Sequence, residues 1–257
     1  MRKAIIISVM IILTALLLLS GWQIWSYFYT QKEVSEQFES LAGLRQIPVS
    51  PVVPELEMEW TEESRTPPEW TVYDQYGSLF EINSDMAGWI CIDGTTIDYP
   101  VMYTPDRPNF YLKCGFDKEY SDYGVPYIAE SCAIDPQSDN VIIYGHNMDS
   151  GMIFGALESY MEETFWREHA VIRFDTRAGF GQYRILAVFR TTPEKFSFHT
   201  FIYADDQTAF DDYIRRCREL SFYDTGVAAE YGDNLLTIST CEYSELGSRL
   251  VVVAVKV

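Results

Sequence analysis

The chain has little of several features that point to common functions. It carries 19 Lys and Arg against 38 Asp and Glu, a formal net charge of −19, and this acidic balance disfavours nucleic acid as a partner. It contains only three His and no Cys-x-x-Cys pair, so neither a zinc ribbon nor a helical carboxylate–histidine metal motif is present. We expect no metal, no cofactor and no nucleic acid. No internal repeat is visible either.

Cysteine is also sparse and unevenly placed. The odd number of cysteines leaves at least one thiol unpaired, and their irregular spacing predicts no disulfide framework. Four of them are best interpreted as small buried hydrophobic residues. The five positions are Cys91, Cys114, Cys132, Cys217 and Cys241.

The N-terminal segment is the one long apolar run of the chain. Arg2 and Lys3 precede an uncharged, mostly apolar stretch from Ala4 to Leu19, and Trp and Tyr residues follow before Lys32. The length suits a bilayer, and the flanking charges favour a cytoplasmic N-terminus. We predict a cytoplasmic stub and signal-anchor over residues 1–30, with the remaining chain extracellular. A cleaved secretory signal is the alternative, but no A-x-A-like site is evident.

Composition divides the rest of the chain into three parts. Apolar residues at helical spacing predict a membrane-proximal amphipathic helix over residues 31–45. Five prolines and six glutamates then mark residues 46–69 as a solvated linker. From Trp70 onward, β-branched and apolar runs separated by turn residues predict a β domain over residues 70–257.

Within this domain, strand patterns outnumber helical ones. Residues 89–101 form a hairpin pattern around Asp93-Gly94, because this pair tolerates the positive φ of a tight turn. The absence of regular β-α alternation predicts a closed or nearly closed antiparallel barrel with peripheral helices. Further strands are predicted at 125–129, 141–144, 170–174, 182–191, 235–240 and 250–257, and helices at 152–169 and 207–220.

Three chemically distinctive residues follow or begin predicted strands. Cys241 ends one apolar strand and Arg249 opens the next after a seven-residue loop, so an antiparallel pairing would bring both to one rim of the barrel. His146 follows the strand at 141–144. An imidazole can take the proton of an attacking thiol and return it to a leaving amine. A guanidinium, with the backbone N–H of Glu242, can stabilise the oxyanion.

Several segments resemble the sortase family, in order along the domain. Thr237-Ile238-Ser239-Thr240-Cys241 looks like the T-L-x-T-C signature, and Tyr144-Gly145-His146-Asn147 is similar to the family's histidine segment. Residues 89–101 resemble the hairpin that opens the sortase domain. The helix at 31–45 and the insertion at about 196–220 look like class B. The resemblance implies an eight-stranded β-barrel preceded by a transmembrane helix.

The same resemblance implies a cysteine transpeptidase of the thiol-protease type. It would cleave a C-terminal sorting motif of a secreted protein, N-P-x-T-[NG] or [SNP]-P-x-T-G, after Thr. The thioacyl-enzyme would pass the acyl group to an amine of a peptidoglycan precursor or crossbridge. The resemblance assigns the chemistry to Cys241, His146 and Arg249. Leu112, Ser239 and Glu242 are candidate groove residues, whereas the aromatic residues Phe196, Phe198, Phe201 and Tyr203 could line the groove or form core.

Alternative functions account for parts of the same pattern. An L,D-transpeptidase resembles S-H-G-C at its nucleophile, which this chain does not match, and a papain-like protease places its Cys on an N-terminal helix. A pilin-polymerising sortase is a variant of the same chemistry. A non-catalytic, membrane-tethered β-barrel adaptor that binds a wall component would need no reactive thiol.

Overall fold

The computed structural model describes residues 2–46, 70–241 and 247–257. The chain forms two compact units, Met1–Gly43 and Leu44–Val257. The first unit is one uninterrupted helix, α1 (Arg2–Gly43), which therefore continues through the segment predicted as a separate amphipathic helix. Its stretch Ile6–Gly43 is long and apolar enough to cross a membrane. The helix is compatible with a single-pass anchor.

The second unit is a closed barrel of eight strands in the order β1-β2-β3-β4-β7-β8-β6-β5, as the sequence predicts. Helices α2 (Val72–Ile82), α3 (Glu163–Glu168) and α4 (Gln207–Leu220) accompany it. The strands are β1 (Met86–Cys91), β2 (Asp98–Met102), β3 (Tyr127–Ile128), β4 (Asn140–Tyr144), β5 (Val171–Thr176), β6 (Gln182–Thr191), β7 (Leu235–Cys241) and β8 (Arg249–Lys256).

The prediction that all strands run antiparallel is wrong for two pairs. Strands β2 and β3 pair in parallel, and so do β4 and β7. Parallel neighbours need a long crossover connection, and the chain between β4 and β7 supplies one that contains α3, β5, β6 and α4. The β1–β2 hairpin is present, but its connection spans residues 92–97, with Ile92 N donating to Ile97 O. Gly94 occupies the positive-φ position at 78°.

Two helical regions differ from the prediction. The segment after Trp70 is helix α2, where Thr71 and Asp74 form a capping box and Tyr76, Leu79 and Phe80 are buried. This Thr-x-x-Asp pattern was the sequence signal for a helix start. The helix predicted at 152–169 is instead a 3-10 helix, Gly155–Met161, followed by the short α3. In contrast, α4 and β6 have the predicted bounds.

The linker predicted at 46–69 lies outside the described residues except for its first residue.

A pair of glycine substitutions tests the packing of the barrel. A Cβ at Gly88, on β1, would lie 1.9 Å from Asp175 O on β5, whereas a Cβ at Gly77, inside α2, would meet nothing within 4 Å. We expect Gly88→Ala to lower the free energy of unfolding by about 1–3 kcal/mol or more, because backbone must move to remove the clash. We expect Gly77→Ala to raise it by about 0.5–1 kcal/mol through helix propensity. Denaturant unfolding of both variants in detergent measures the difference, and equal effects would contradict it.

Candidate active site

Strands β7 and β8 bring a thiol and a guanidinium to one rim of the barrel. They are antiparallel, and Cys241 and Arg249 form their last register pair. Directly opposed residues in such a pair have Cβ atoms about 4.5–5.5 Å apart and share one face of the sheet. Both side chains are half-buried. The proximity of Cys241 and Arg249, which the seven-residue loop between their strands predicts, is therefore confirmed.

The parallel pairing of β4 with β7 places the imidazole at the same rim. Tyr144 pairs with Ser239 at the end of this ladder. Because the two strands run in the same direction, the residues that follow each of them leave the barrel together. His146 is two residues beyond Tyr144, and Cys241 is two residues beyond Ser239. The alternation of side chains therefore directs both to the same face.

These side chains line one cleft of about 540 Å³. Cys241 and Arg249 lie on the same face of the sheet as Leu235 and Val251, which pack in the hydrophobic cluster beneath α4. The cleft therefore opens on the face of the sheet that α4 covers. Such a volume is typical of ligand sites. The walls combine apolar, polar, aromatic and charged groups: Leu112, Tyr127, Glu130, Tyr144, His146, Phe198, His199, Ser239, Thr240, Cys241 and Arg249.

A backbone carbonyl orients the His146 ring. The Nε2 atom lies 2.7 Å from Leu112 O, at the end of the 3-10 helix Phe110–Leu112. A carbonyl oxygen can only accept, so Nε2 carries the proton of this bond. In the neutral ring Nδ1 is then the proton acceptor. Leu112 thus lines the cleft and also binds the His146 ring through its main-chain carbonyl.

The other predicted groove residues have different outcomes. Ser239 is 1% exposed, lines the cleft, and its Oγ has no hydrogen-bond partner among the described residues. Glu242 lies outside the described residues. Phe198 lines the cleft and is also buried in the hydrophobic cluster beneath α4, against which Phe196 and Phe201 pack. Tyr203 is exposed, so the aromatic loop is divided between cleft and core.

The structure adds residues that the sequence analysis did not single out. Thr240 Oγ1 donates to Gly145 O at 2.8 Å, and Asn147 Nδ2 donates to Cys241 O at 2.9 Å. Both residues lie next to predicted catalytic residues, and this adjacency is the sequence signal that could have identified them.

Burial, followed by the charge of Glu130, raises the pKa of Tyr127 to about 12. This phenol therefore stays a neutral hydroxyl in the cleft.

No group of three or more His, Cys, Asp or Glu side chains that could hold a metal ion is found in the described part of the chain. A thiol, an imidazole and a guanidinium in one cleft are instead the parts that a cysteine-dependent acyl-transfer enzyme needs.

Comparison with known proteins identifies the family. Residues 90–257 match the sortase domain, and this match covers more than half of the chain. The chain therefore belongs to the sortase family of cysteine transpeptidases, and its relatives are most often sortases of class B.

Named relatives and solved structures agree with this assignment. Sortase B of Staphylococcus aureus (strain NCTC 8325 / PS 47) is 27% identical over 254 residues, covering 98% of this chain and 96% of the relative. Sortase B of Listeria monocytogenes is 26% identical and covers 91% and 89%. A crystal structure of sortase B from B. anthracis has a TM-score of 0.73 at 26% identity, covering 90% and 99%. A sortase B–substrate complex from S. aureus has a TM-score of 0.67 at 29% identity, covering 72% and 86%.

Three of the four thiols outside the cleft are poorly suited to nucleophilic attack. Cys132 and Cys217 are buried, and burial raises their pKa to about 11 and about 12. A thiol of pKa 11 is only about 0.1% thiolate at pH 8. Burial also raises the pKa of Cys91, although the nearby Arg173 opposes the shift. These three thiols are therefore protonated and weakly nucleophilic near neutral pH.

Thiol labelling tests this difference. We expect iodoacetamide at pH 8 to modify Cys241 in the folded protein while Cys132 and Cys217 stay unmodified, because they are buried and protonated. Peptide mapping by mass spectrometry measures each site. In denaturing guanidinium chloride the buried pair should react as readily as the rest. Labelling of Cys217 in the folded protein as fast as Cys241 would contradict the prediction.

Proposed function

We propose that this enzyme anchors secreted proteins to the cell wall, with Cys241 as nucleophile, His146 as acid and base, and Arg249 as oxyanion stabiliser. One observation carries the assignment of roles: these three side chains, separated by about a hundred positions in sequence, line the same cleft. Leu112, Ser239 and Glu242 are proposed as groove residues beside them.

The first half-reaction forms a thioester. His146 Nδ1 takes the proton of the Cys241 thiol, and the sulfur attacks the carbonyl carbon of the motif Thr. The oxyanion that forms is held by the guanidinium of Arg249, whose planar N–H groups suit an anionic oxygen. When the C–N bond breaks, the imidazolium returns the proton to the leaving amine. The acyl group of Thr is then bound to sulfur.

The second half-reaction transfers this acyl group to an amine. The incoming amine attacks the thioester carbon and loses a proton to His146, a new amide bond forms, and the sulfur leaves and is reprotonated. The hydrogen bond between His146 Nε2 and Leu112 O supports both steps. It keeps one ring nitrogen occupied and leaves the other to exchange the proton with the reacting groups.

The choice of substrates follows the family resemblance. We propose a class B sorting motif of the N-P-x-T-[NG] or [SNP]-P-x-T-G type as donor, and an amine of a peptidoglycan precursor or crossbridge as acceptor. One similar structure is a sortase B–substrate complex from S. aureus, which supports substrate binding by this fold. The apolar part of α1 would cross the membrane, with the N-terminus cytoplasmic and the barrel extracellular.

A non-catalytic adaptor makes a different prediction about the thiol. An adaptor would use the barrel and anchor without a reactive cysteine, so alkylation of Cys241 would not depend on His146. In a transpeptidase the alkylation rate of Cys241 must depend on His146, because the imidazole generates the thiolate. Comparing the alkylation rate of Cys241 in the native enzyme and in His146→Ala separates the two functions. Equal rates would contradict the role of His146 as the base that activates Cys241.

Removal of the nucleophile tests the proposed reaction directly. We expect Cys241→Ala to abolish both cleavage of fluorogenic sorting pentapeptides and their transfer to an added amine, since no acyl-enzyme can form. Cys91→Ala, which removes a half-buried thiol outside the cleft lining, is the matched control and should retain turnover. Liquid chromatography with mass spectrometry distinguishes hydrolysis from transfer. Turnover by Cys241→Ala would refute the assignment of the nucleophile.

Substitution of Arg249 tests its proposed role, because the loss of an oxyanion stabiliser should affect kcat more than KM. We expect Arg249→Ala to lower kcat by about 10²–10³-fold with a smaller change in KM, because the guanidinium stabilises charge that exists only near the transition state. Arg249→Lys should recover part of this loss, since it restores the charge without the planar fork. Arg184→Ala, an exposed arginine on β6, controls for the loss of one positive charge. An unchanged kcat in Arg249→Ala would reassign the residue to structure.

A further inference from the structure

The ladder between β4 and β7 ends just before the two proposed catalytic residues that it aligns. Its last register pair is Tyr144 and Ser239. Beyond this pair one backbone bond remains, from Gly145 N to Ser239 O, and a Cβ at Gly145 would lie 2.5 Å from the Phe154 ring. From here the two segments are joined through side chains. Thr240 Oγ1 donates to Gly145 O, and Asn147 Nδ2 donates to Cys241 O.

The Asn147 amide makes two bonds with one nitrogen. Nδ2 donates to Cys241 O at 2.9 Å and to Glu158 Oε1 at 2.7 Å. Both partners are acceptors, so the amide nitrogen must face them, and the assignment of the amide follows from chemistry. The Asn147 residue is 8% exposed, whereas Glu158 is exposed on the 3-10 helix Gly155–Met161. A buried donor is thus satisfied by the carbonyl of the proposed nucleophile and by a surface carboxylate.

We propose that Asn147 is a positioning residue for the transpeptidation, and that Glu158 orients its amide. Asn147 follows His146 directly in the chain and binds the main chain of Cys241. One side chain therefore joins the backbones of the base and the nucleophile at the point where the strand ladder stops. The bond to Cys241 O restrains ψ of the last β7 residue, and so the direction in which the thiol points. This inference rests on the proposed roles of Cys241 and His146.

Other contacts hold the histidine segment in place without Asn147. Phe154 N donates to His146 O, and Ile153 N donates to Tyr99 OH on β2. The loss of the Asn147 side chain should therefore leave the segment folded but less precisely placed against Cys241. A misplacement of about 1 Å between reacting groups can cost about 100-fold in rate. The expected effect is on kcat.

The test uses four substitutions and one control substitution in the full chain in detergent micelles. Asn147→Ala removes both hydrogen bonds, and Asn147→Asp places an oxygen opposite two acceptors. We expect each to lower kcat by about 10–100-fold with KM within about twofold. Glu158→Ala should lower kcat by a smaller factor. Glu158→Gln should stay within about twofold of the native enzyme, because its amide oxygen still accepts from Asn147. Glu168→Ala, an exposed carboxylate on α3, is the control.

A second readout reports the site without substrate. The alkylation rate of Cys241 between pH 6 and 9 measures how well His146 generates the thiolate. In Asn147→Ala we expect this profile to move toward that of His146→Ala, while the thermal midpoint stays near that of the native protein. The double variant Asn147→Ala/Glu158→Ala should be no slower than Asn147→Ala alone, since both changes disturb one unit.

The outcomes separate this inference from the proposed function. If Asn147→Ala turns over sorting peptides as fast as the native enzyme, or if its Cys241 alkylation profile equals that of the native enzyme, the positioning role is overturned. The proposed transpeptidation is then unaffected. A loss of kcat that matches the fraction of unfolded protein also overturns it. If the native enzyme does not turn over sorting peptides, the proposed function fails. The alkylation profile then still decides whether Asn147 couples His146 to Cys241.

Discussion

The site depends on one constraint, the parallel pairing of β4 with β7. It brings the residues that follow Tyr144 and those that follow Ser239 to the same rim and the same face. Had β7 paired with β4 in the opposite direction, His146 and Cys241 would lie at opposite ends of the barrel. The antiparallel pairing of β7 with β8 then adds Arg249 opposite Cys241. Two adjacent ladders therefore assemble three groups that are remote in sequence.

The surrounding structure makes this arrangement rigid and accessible at once. The side chains of β7 and β8 before the rim are almost completely buried, so the positions of Cys241 and Arg249 are set by packing on both faces of the sheet. The crossover required by the parallel pair contributes β6 and α4, and α4 covers the sheet beside the cleft. Rigid strands and an open rim together suit a reaction in which orientation and fixed charge lower the barrier.

Local signals predicted some elements closely and missed others. Helix α4 and strand β6 have the predicted bounds, because each carries a long periodic pattern. Helix α2 was missed, although its capping box at Thr71 and Asp74 was visible, because β-branched and aromatic residues around it favoured a strand. The two parallel pairs could not be predicted from patterns, since alternation shows that a residue run is a strand and does not show which strand it joins or in which direction.

The sequence alone determined the chemistry, because a Cys, a His and an Arg at strand ends, with the segments around them, carry their reactivity and family resemblance in their identities. It also determined the proximity of Cys241 and Arg249, since a seven-residue loop leaves their strands little choice of partner. Only the tertiary structure decided that His146 joins them, that Leu112 O orients its ring, and that Asn147 binds Cys241 O. These contacts join residues 34 and 94 positions apart, and long-range pairing is set by the closure of the whole barrel.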